Sequence, residues 1–437
     1  MRADKCYGET KSSLTPNINT LIENGVYFEQ AIAAVGSTIS SLASIFTGMF
    51  PTHTGMSSDK FEKLNSDVKS YVTSLQEKGY FTYSASPPLT NELGITDNFE
   101  NKDQHYDNYL SLFDGLGDEI VDFVTKKEMN QPWFFYFHIN DLHPPIKIPK
   151  NFEDEKFGFT NYEKMISAID SWIGYLLSKI DIKNTLVIIT SDHGDYFPFN
   201  KNLKINLEPG NVNYQLWKLG NRIPKKLHPV KSIIASSLHN FRQKIKQNKI
   251  QNLELSIYEK RNITQSRMGE GHHLYDDIVR VPLVFSGYSL KHQIISHQVR
   301  HVDIFPTIFD LINEKDDNIV DGCSLKPLME QKEISDLDAY IESPPTIVKN
   351  TEKIVGIRTK KFKYIRNLHN KSNDVELYDL ENDPFEEENI AKSNKQLIEN
   401  LENSLQKFFT KKIIQTVDIS EEERIRVEKE LKKLGYM

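Results

Sequence analysis

Cysteines and long apolar runs are both scarce in this sequence of 437 residues. The two cysteines, Cys6 and Cys323, are too few for a disulfide framework or a thiolate metal site, and we expect both to be reduced thiols. No segment approaches the ~20 consecutive apolar residues that a transmembrane helix needs, and the opening "MRADKCYGETKSSL" lacks the apolar core of a signal peptide. The sequence as given therefore predicts a cytoplasmic protein with no transmembrane segment.

The composition is that of a globular protein, with 38% hydrophobic and 26% charged residues. Its charge is uneven, because residues 196–268 contain 14 Lys and Arg against 3 Asp and Glu, a local charge of +11 that leaves −18 for the rest of a chain whose net charge is −7. This segment is either a solvated basic face or a surface for an anionic partner, and the sequence favours neither. We expect no specific nucleic-acid partner.

Predicted strands alternate with predicted helices over most of the chain. This order favours an α/β fold with a large mixed, mostly parallel sheet sandwiched by helices. Two apolar stretches, Trp133–Asn140 and the segment "TLVIIT" at 185–190, predict strands buried on both faces. From about Lys353 the pattern changes to antiparallel strands and two charged helices, the second opening with a capping box of Ser420 and Glu423. We predict a domain at 1–345, with a basic insertion at 196–268, and a C-terminal subdomain at 346–437 with a small antiparallel sheet.

Chemically active side chains follow the predicted strands. Asp192 and His193 come directly after "TLVIIT", and Asp141 and His143 follow the strand that begins at Trp133. A histidine pair that includes His272 precedes a third strand. Because α/β sheets bind ligands beyond the carboxyl ends of their strands, these side chains favour a common site. Asp192 and His193 suit a divalent cation, although a polar turn would look the same.

A hydroxyl opens the helix predicted from "STISSLASIFTG". Ser37 or Thr38 lies at its start, where free N–H groups and the helix dipole attract an anion. Ser and Thr are also the commonest helix caps, and a hydroxyl in this position is a nucleophile if a metal ion or a base lowers its pKa. The pattern itself leaves these roles open.

Ten stretches, taken in order, resemble the sulfatases of the alkaline phosphatase superfamily over nearly the whole chain. They are "RADKCYG", "TPNINTLIENGVYF", "SLASIFTGMFPTHTG", "HINDLHPP", "TLVIITSDHG", "LYDDIVRVPLVF", "HVDIFPTIFDL", "GIRTKKFKYIRN", "ELYDLENDPFEEENIA" and "LKKLGYM". Each stretch alone has low specificity, but ten of them in order with suitable spacing are highly specific. The resemblance implies an alkaline phosphatase-like fold and metal-dependent hydrolysis of an anionic ester.

The resemblance also assigns roles to individual residues. Asp192 and His193 match the metal-binding pair, and Thr38 falls on the nucleophile, which also binds the metal. The anion or leaving group is then contacted by His143, by Asp141 and by His272, which stands where sulfatases often carry lysine. A divalent metal ion is implied, either Ca, Mn, Mg or Zn.

Departures from the family pattern shape the expected function. Thr38 replaces the Cys or Ser that sulfatases convert to formylglycine, Ser40 replaces a proline and Leu42 an arginine. Since threonine cannot become that aldehyde, the sequence favours a phosphate ester over a sulfate ester, on a substrate such as a polysaccharide or lipid head group. Hydrolase and phospho-group transferase both fit, and the alternative within the class is a true sulfuric ester hydrolase.

A first strand, whose terminal Asp binds the metal, is also expected from the resemblance and is missing from the sequence as given. We favour a start upstream of Met1. The alternative from another class is a shortened, non-catalytic binding protein.

Overall fold

A computed structural model describes residues 1–56, 62–65, 67–102, 104–106, 110–125, 129–196, 199–200, 205–206, 244, 247–265, 273–343, 353–371, 375–410 and 417–433. Its described helices are α1 (Ala3–Cys6), α2 (Pro16–Glu23), α3 (Thr38–Thr47), α4 (Pro51–Thr54), α5 (Tyr71–Glu77), α6 (Pro88–Glu92), α7 (Leu116–Thr125), α8 (Asn161–Leu177), α9 (Ile257–Thr264), α10 (Asp276–Val279), α11 (Ile304–Leu311), α12 (Lys326–Met329), α13 (Lys395–Gln406) and α14 (Glu421–Lys433). The described strands are β1 (Gly25–Ile32), β2 (Glu62–Lys63), β3 (Phe81–Ala85), β4 (Trp133–Phe137), β5 (Leu186–Thr190), β6 (Phe199–Asn200), β7 (Ile205–Asn206), β8 (Arg280–Gly287), β9 (Gln293–Arg300), β10 (Ala339–Glu342), β11 (Ile354–Arg358), β12 (Phe362–Asn367), β13 (Glu376–Asp379) and β14 (Val417–Asp418).

The main sheet has the strand order β5-β8-β1-β9. Strand β8 is antiparallel to both of its neighbours, whereas β1 and β9 are parallel. Strands β3 and β4 form a separate parallel pair. The predicted class, a mixed α/β fold with helices on both faces, is confirmed, and the described pairings of these strands divide equally between parallel and antiparallel.

Two apolar cores lie on opposite faces of these strands. On one face, α3, α5 and α11 pack through side chains such as Phe46, Val72 and Phe305. On the other face, α2, α7 and α8 contribute side chains such as Leu21 and Met165. Successive strand residues point to opposite faces, so an apolar strand can fill both cores at once.

Strands β4 and β5 are less buried than their apolar sequences suggest, because every one of their residues is only half-buried. Among the residues that the structure describes, each strand is paired on one edge alone, β4 with β3 and β5 with β8. By contrast, β8 is paired on both edges and is buried from Val281 to Ser286. The predicted cover on both faces is present, since the side chains of both strands pack in the two cores. The partial exposure could not be predicted, because an apolar pattern carries no information about the edges of a strand.

The small antiparallel sheet is confirmed, with the order β10-β11-β12-β13. Its first strand, β10, precedes the predicted subdomain boundary at residue 346, and that boundary stays a prediction. The capping box of α14 is present, since Ser420 N donates to Glu423 Oε2 at 2.8 Å and Glu423 N donates to Ser420 Oγ at 3.2 Å. Within the described segments, no helix is both long and apolar enough to cross a membrane.

Candidate active site

The loop after β5 is held in place by a glycine. Gly194 N donates to the main-chain oxygen of Ile278 at 2.7 Å. A Cβ atom at Gly194 would lie 2.0 Å from the main-chain oxygen of Asp277, so only glycine permits this approach of two backbones. The contact fixes the position of the two residues before it, Asp192 and His193, at the carboxyl end of β5.

Helix α3 begins opposite this loop. Ser37 is its N-cap, with an extended backbone and no capping hydrogen bond from its side chain, and the buried Ser37 Oγ has no hydrogen-bond partner among the described residues. Thr38 is the first helical residue and is half-buried. Its hydroxyl lies within hydrogen-bonding reach of the Asp192 carboxylate, 154 positions away in the sequence. The predicted nucleophile and the predicted metal ligand are thus brought together.

The Asp192 carboxylate is surrounded by groups that favour its charged form. His193 Nε2 lies 3.3 Å from Asp192 Oδ2, and His193 N donates to Asp192 Oδ1 at 2.9 Å. Burial alone raises the pKa of the Asp192 carboxyl, but the neighbouring imidazoles and the Thr38 hydroxyl outweigh it, so the pKa lies well below its usual range. The site therefore holds a permanent negative charge beside the start of α3.

Two further histidines belong to this site and were missed from the sequence. His138, just after β4, is close enough to Asp192 for their charges to interact, and its Nδ1 lies 3.0 Å from Tyr136 Oη. His301 is buried, with Nδ1 3.2 Å from Ser41 Oγ. Burial lowers the pKa of both imidazoles, in the case of His301 to about 4. The signal for His138 was available, since it shares the strand end with the predicted Asp141.

The remaining predicted site residues lie in different surroundings. Asp141 is buried, and its carboxylate accepts hydrogen bonds from Ser111 Oγ and from Leu112 N, so it fixes the loop before α7. His143 follows β4, and its Nδ1 lies 2.8 Å from the main-chain oxygen of Pro144. The substrate contacts assigned to both residues stay predictions. His272 lies outside the described residues, as does most of the insertion at 196–268.

The described end of the insertion forms helix α9, which opens with a capping box of Ser256 and Glu259. It contacts the start of the chain through Arg2, which donates to Asn262 Oδ1 and Tyr258 Oη, both at 2.9 Å. The same guanidinium lies 2.6 Å from the Asp277 carboxylate, and both groups are buried. This end of the insertion is therefore part of the folded body and adjoins the loop that carries His193.

The side chains that meet here are of the types that bind a divalent cation. Asp192 offers carboxylate oxygens, Thr38 a hydroxyl and His193 an imidazole. Mg²⁺ is commonly held by one or two carboxylates, with water and substrate oxygens completing its shell. Across the described part of the chain, no group of three or more His, Cys, Asp or Glu side chains converges on one metal position. The side chains present thus supply part of a coordination shell.

Comparisons with known proteins agree with this fold. Residues 3–314 match the sulfatase family, and residues 268–412 match the C-terminal family described as N-sulphoglucosamine sulphohydrolase. The chain therefore belongs to the sulfatase family of the alkaline phosphatase superfamily, whose members are ester hydrolases that generally use a divalent metal.

Individual relatives act on several kinds of anionic ester. The chain is 21% identical over 447 residues to an ulvan-active sulfatase of Formosa agariphila, covering 88% of this chain and 72% of that protein. It is 22% identical over 479 residues to an N-acetylglucosamine-6-O-sulfatase of Bacteroides thetaiotaomicron, covering 93% and 84%. A crystal structure of a phosphonate monoester hydrolase of Agrobacterium radiobacter shares the fold, with a TM-score of 0.64, 15% identity and 93% of each chain covered.

Proposed function

We propose that this protein cleaves an anionic ester, phosphate in preference to sulfate, with Thr38 as its nucleophile. One observation carries the proposal: the Thr38 hydroxyl stands at the start of α3 within hydrogen-bonding reach of the Asp192 carboxylate. Helix α3 has ten residues, long enough for the free N–H groups and the dipole at its start to favour an anionic group.

The substrate would bind with its phosphorus facing Thr38 Oγ. Attack by this oxygen, whose proton passes to water, forms a Thr38–phosphate ester and breaks the bond between phosphorus and the ester oxygen of the substrate. The alcohol of the substrate leaves after that oxygen has taken up a proton. Water then hydrolyses the ester and restores Thr38, whereas attack by a second alcohol would make the protein a transferase. His143, on the loop after β4, is the proposed proton donor to the leaving alcohol, since imidazoles commonly take that role near neutral pH.

Asp192 orients the nucleophile and is too weak a base to deprotonate it. The low pKa of this carboxyl keeps it charged, so it accepts the hydrogen bond of Thr38 Oγ without taking the proton. A divalent ion held by Asp192, His193 and Thr38 would lower the pKa of the hydroxyl and neutralise the oxygens of the phosphate. The buried Ser37 Oγ beside them has no hydrogen-bond partner in the described part of the chain and is available to donate to one of those oxygens.

Phosphate is favoured over sulfate by the identity of the nucleophile. The resemblance assigns formylglycine chemistry to sulfatases with a Cys or Ser precursor, and Thr38 is neither. A threonine hydroxyl attacks phosphorus directly, as metal-assisted nucleophiles do. The phosphonate monoester hydrolase among the structural neighbours supports a phosphorus-centred substrate for this fold.

A second candidate is hydrolysis of a sulfate ester on a sugar. The relatives named as an ulvan-active sulfatase and an N-acetylglucosamine-6-O-sulfatase favour it. It requires a different activated nucleophile, because the Thr38 side chain cannot become an aldehyde through the formylglycine route.

The test is turnover of matched aryl esters by the full chain with added Mg²⁺, Mn²⁺, Ca²⁺ or Zn²⁺. We expect cleavage of p-nitrophenyl phosphate or bis-p-nitrophenyl phosphate to exceed cleavage of p-nitrophenyl sulfate. Thr38→Ala should lower kcat/KM by about a thousandfold or more, as loss of a covalent nucleophile does in other enzymes, while Thr38→Ser should retain part of the rate. Ser37→Ala distinguishes the two neighbouring hydroxyls and should lower kcat/KM far less than Thr38→Ala, because Ser37 is proposed only to donate to a phosphate oxygen and the covalent step remains.

Other results would redirect the assignment. A clear preference for p-nitrophenyl sulfate would establish the second candidate and remove the phosphate proposal. Wild-type rates in Thr38→Ala would remove Thr38 as nucleophile. Binding of an anionic ester without turnover under every metal condition would identify a non-catalytic binding protein.

A further inference from the structure

Arg261 is a buried residue on helix α9 of the basic insertion, and it is only 6% exposed. Its Nη1 donates to the main-chain oxygen of Glu386 at 3.0 Å, and its Nη2 donates to that of Phe385 at 2.7 Å. The guanidinium carbon lies 3.7 Å from the centre of the ring of Tyr275, the N-cap of α10, in a cation–π contact. One side chain thus joins the insertion to the loop after β13 and to the start of α10.

Asp277 contacts both α9 and the loop after β5. Its Oδ2 lies 3.5 Å from Arg261 Nη2 and 3.4 Å from Asn262 Nδ2. Its main-chain oxygen would lie 2.0 Å from a Cβ atom at Gly194, and the main-chain oxygen of Ile278 accepts from Gly194 N at 2.7 Å. The start of α10 therefore meets α9 through a side chain and meets the loop after β5 through its main chain.

The loop after β5 in turn sets the orientation of the His193 ring. His193 Nδ1 lies 2.8 Å from the main-chain oxygen of Gly194, and this nitrogen must donate, because a carbonyl oxygen only accepts. His193 Nε2 then faces Asp192, 3.3 Å from Oδ2. A metal-binding imidazole usually donates its other ring nitrogen to a carbonyl or a carboxylate, which fixes the tautomer and the direction of the ring. Movement of Gly194 would therefore turn Nε2 away from the position in which it would bind a cation together with Asp192.

The contribution of Arg261 to this arrangement is geometric rather than electrostatic. Arg2 already neutralises the Asp277 carboxylate, with Nη1 2.6 Å from Oδ1. Arg261 lies farther from that carboxylate and uses its shorter hydrogen bonds on main-chain oxygens. Those bonds and the contact with the Tyr275 ring fix the start of α10, and α10 fixes Gly194.

We propose that Arg261 is a positioning residue of the candidate active site, which acts through Tyr275 and Asp277 to hold Gly194 and hence the metal-binding direction of His193. The inference rests on the proposed function in taking His193 as a ligand of the divalent ion, and it gives the basic insertion a part in building the site. Charge alone predicts the opposite effect, because removing a cation near a metal site lessens repulsion and strengthens metal binding. The sign of the change therefore distinguishes positioning from electrostatics.

The experiment measures the affinity of the full chain for Mn²⁺ by electron paramagnetic resonance in the wild type, Arg261→Ala and Lys260→Ala. Lys260 is exposed on the same helix, and its replacement removes the same charge. We expect Arg261→Ala to weaken Mn²⁺ binding by about tenfold or more, as loss of a group that orients a metal ligand does elsewhere. Lys260→Ala should leave the affinity unchanged, because an exposed charge is screened by salt.

Rescue by a small cation provides a second test of position. Arg261→Ala leaves a space bordered by the main-chain oxygens of Phe385 and Glu386 and by the Tyr275 ring. Guanidinium chloride at low millimolar concentration should restore part of the Mn²⁺ affinity of this variant, whereas ammonium chloride at the same concentration should not, because only the planar guanidinium reproduces the fork of donors.

Hydrogen exchange measured by mass spectrometry reports on the loop without any metal. In a peptide covering residues 190–196, we expect exchange in Arg261→Ala to be faster by about tenfold or more than in the wild type and Lys260→Ala. Peptides from helix α5 are the internal control and should exchange equally in the three proteins.

Mn²⁺ binding by Arg261→Ala that equals or exceeds that of the wild type would overturn the proposal, as would restoration by ammonium as effective as by guanidinium. If Arg261→Ala does not fold, Arg261→Lys keeps the charge and loses the fork of donors. An affinity of that variant reduced by about threefold or more would support the proposal, and an unchanged affinity would overturn it.

Failure of the proposed function would be recognised separately. A wild type that binds no Mn²⁺ would count against the metal-dependent chemistry, and exchange in the loop after β5 would then decide the role of Arg261. Equal exchange in the three proteins would overturn that role. None of these measurements depends on ester cleavage.

Discussion

The Ser41 hydroxyl donates a hydrogen bond of 2.6 Å to the main-chain oxygen of Asp192. The hydroxyl has one proton, and it is used in this bond. Nδ1 of His301 lies 3.2 Å from Ser41 Oγ, so this nitrogen must be protonated and donate to Ser41. A single buried side chain thus ties the first turn of α3, the loop after β5 and the end of β9 together. Ser41 is a positioning residue, since it sets where Asp192 stands relative to Thr38.

Replacing Ser41 should harm turnover more than substrate binding. In Ser41→Ala the main-chain oxygen of Asp192 and Nδ1 of His301 lose their partner, at a cost of about 1–3 kcal/mol in the free energy of unfolding. We expect kcat for the best phosphate ester to fall by about tenfold or more with KM little changed, because misplacing a catalytic carboxylate affects the transition state first. The control is Ser44→Ala on the same helix, since Ser44 Oγ donates only to Ser40 O within α3. Equal effects of the two variants would contradict the positioning role.

Burial of His301 should make the protein less stable in mild acid. Its pKa is lowered by burial from 6.5 to about 4 in the folded state. Between pH 6.5 and pH 4 the unfolded chain takes up a proton that the folded protein does not, so stability falls through this window and the loss is complete below pH 4. The full shift corresponds to at most about 3 kcal/mol. The measurement is urea unfolding of the wild type and of His301→Gln at several pH values. As the pH falls, the free energy of unfolding should decline less steeply in the variant. Parallel declines in the two proteins would contradict this role of His301.

The ion pair of Arg2 with Asp277 should dominate the stability of the chain start. Arg2→Met leaves the buried Asp277 carboxylate without its closest cation, and removing one partner of a buried pair costs about 3–5 kcal/mol. The double variant Arg2→Met/Asp277→Asn should recover part of this loss in urea unfolding. The exposed pair of Lys332 with Glu330 is the control, and Lys332→Met should leave the unfolding midpoint unchanged. An unfolding midpoint of Arg2→Met equal to that of the wild type would show that the ion pair contributes little net stability.

A methyl group at Gly194 should displace the loop after β5. The added Cβ would lie 2.0 Å from the main-chain oxygen of Asp277, and a clash with backbone cannot be relieved by a side-chain rotation. We expect Gly194→Ala to lower the free energy of unfolding by about 1–3 kcal/mol and to reduce turnover through the shifted His193. Gly79→Asn is the control, because this turn has φ +84° with open space around it and asparagine tolerates that conformation. Full activity in Gly194→Ala would contradict the close approach of the two backbones.

The sequence by itself determined the fold class and the chemistry available at the strand ends. Alternating apolar segments and short-range signals, such as the capping box of Ser420 and Glu423, act over a few residues and can be recognised without tertiary structure. The order of the sulfatase-like motifs placed Thr38, Asp192 and His193 in one proposed site, and the structure brings these three residues together.

Only the tertiary structure decided which distant groups complete the site and which strand edges are left open. His301 and His138 approach Asp192 from separate segments, and no local pattern encodes a contact between residues that packing alone brings together. The half-burial of β4 and β5 was hidden for a related reason. Hydrophobic periodicity reports on the faces of a strand, whereas its edges are made of backbone groups that are the same in every sequence, so only the pairing of strands in space shows whether an edge is filled.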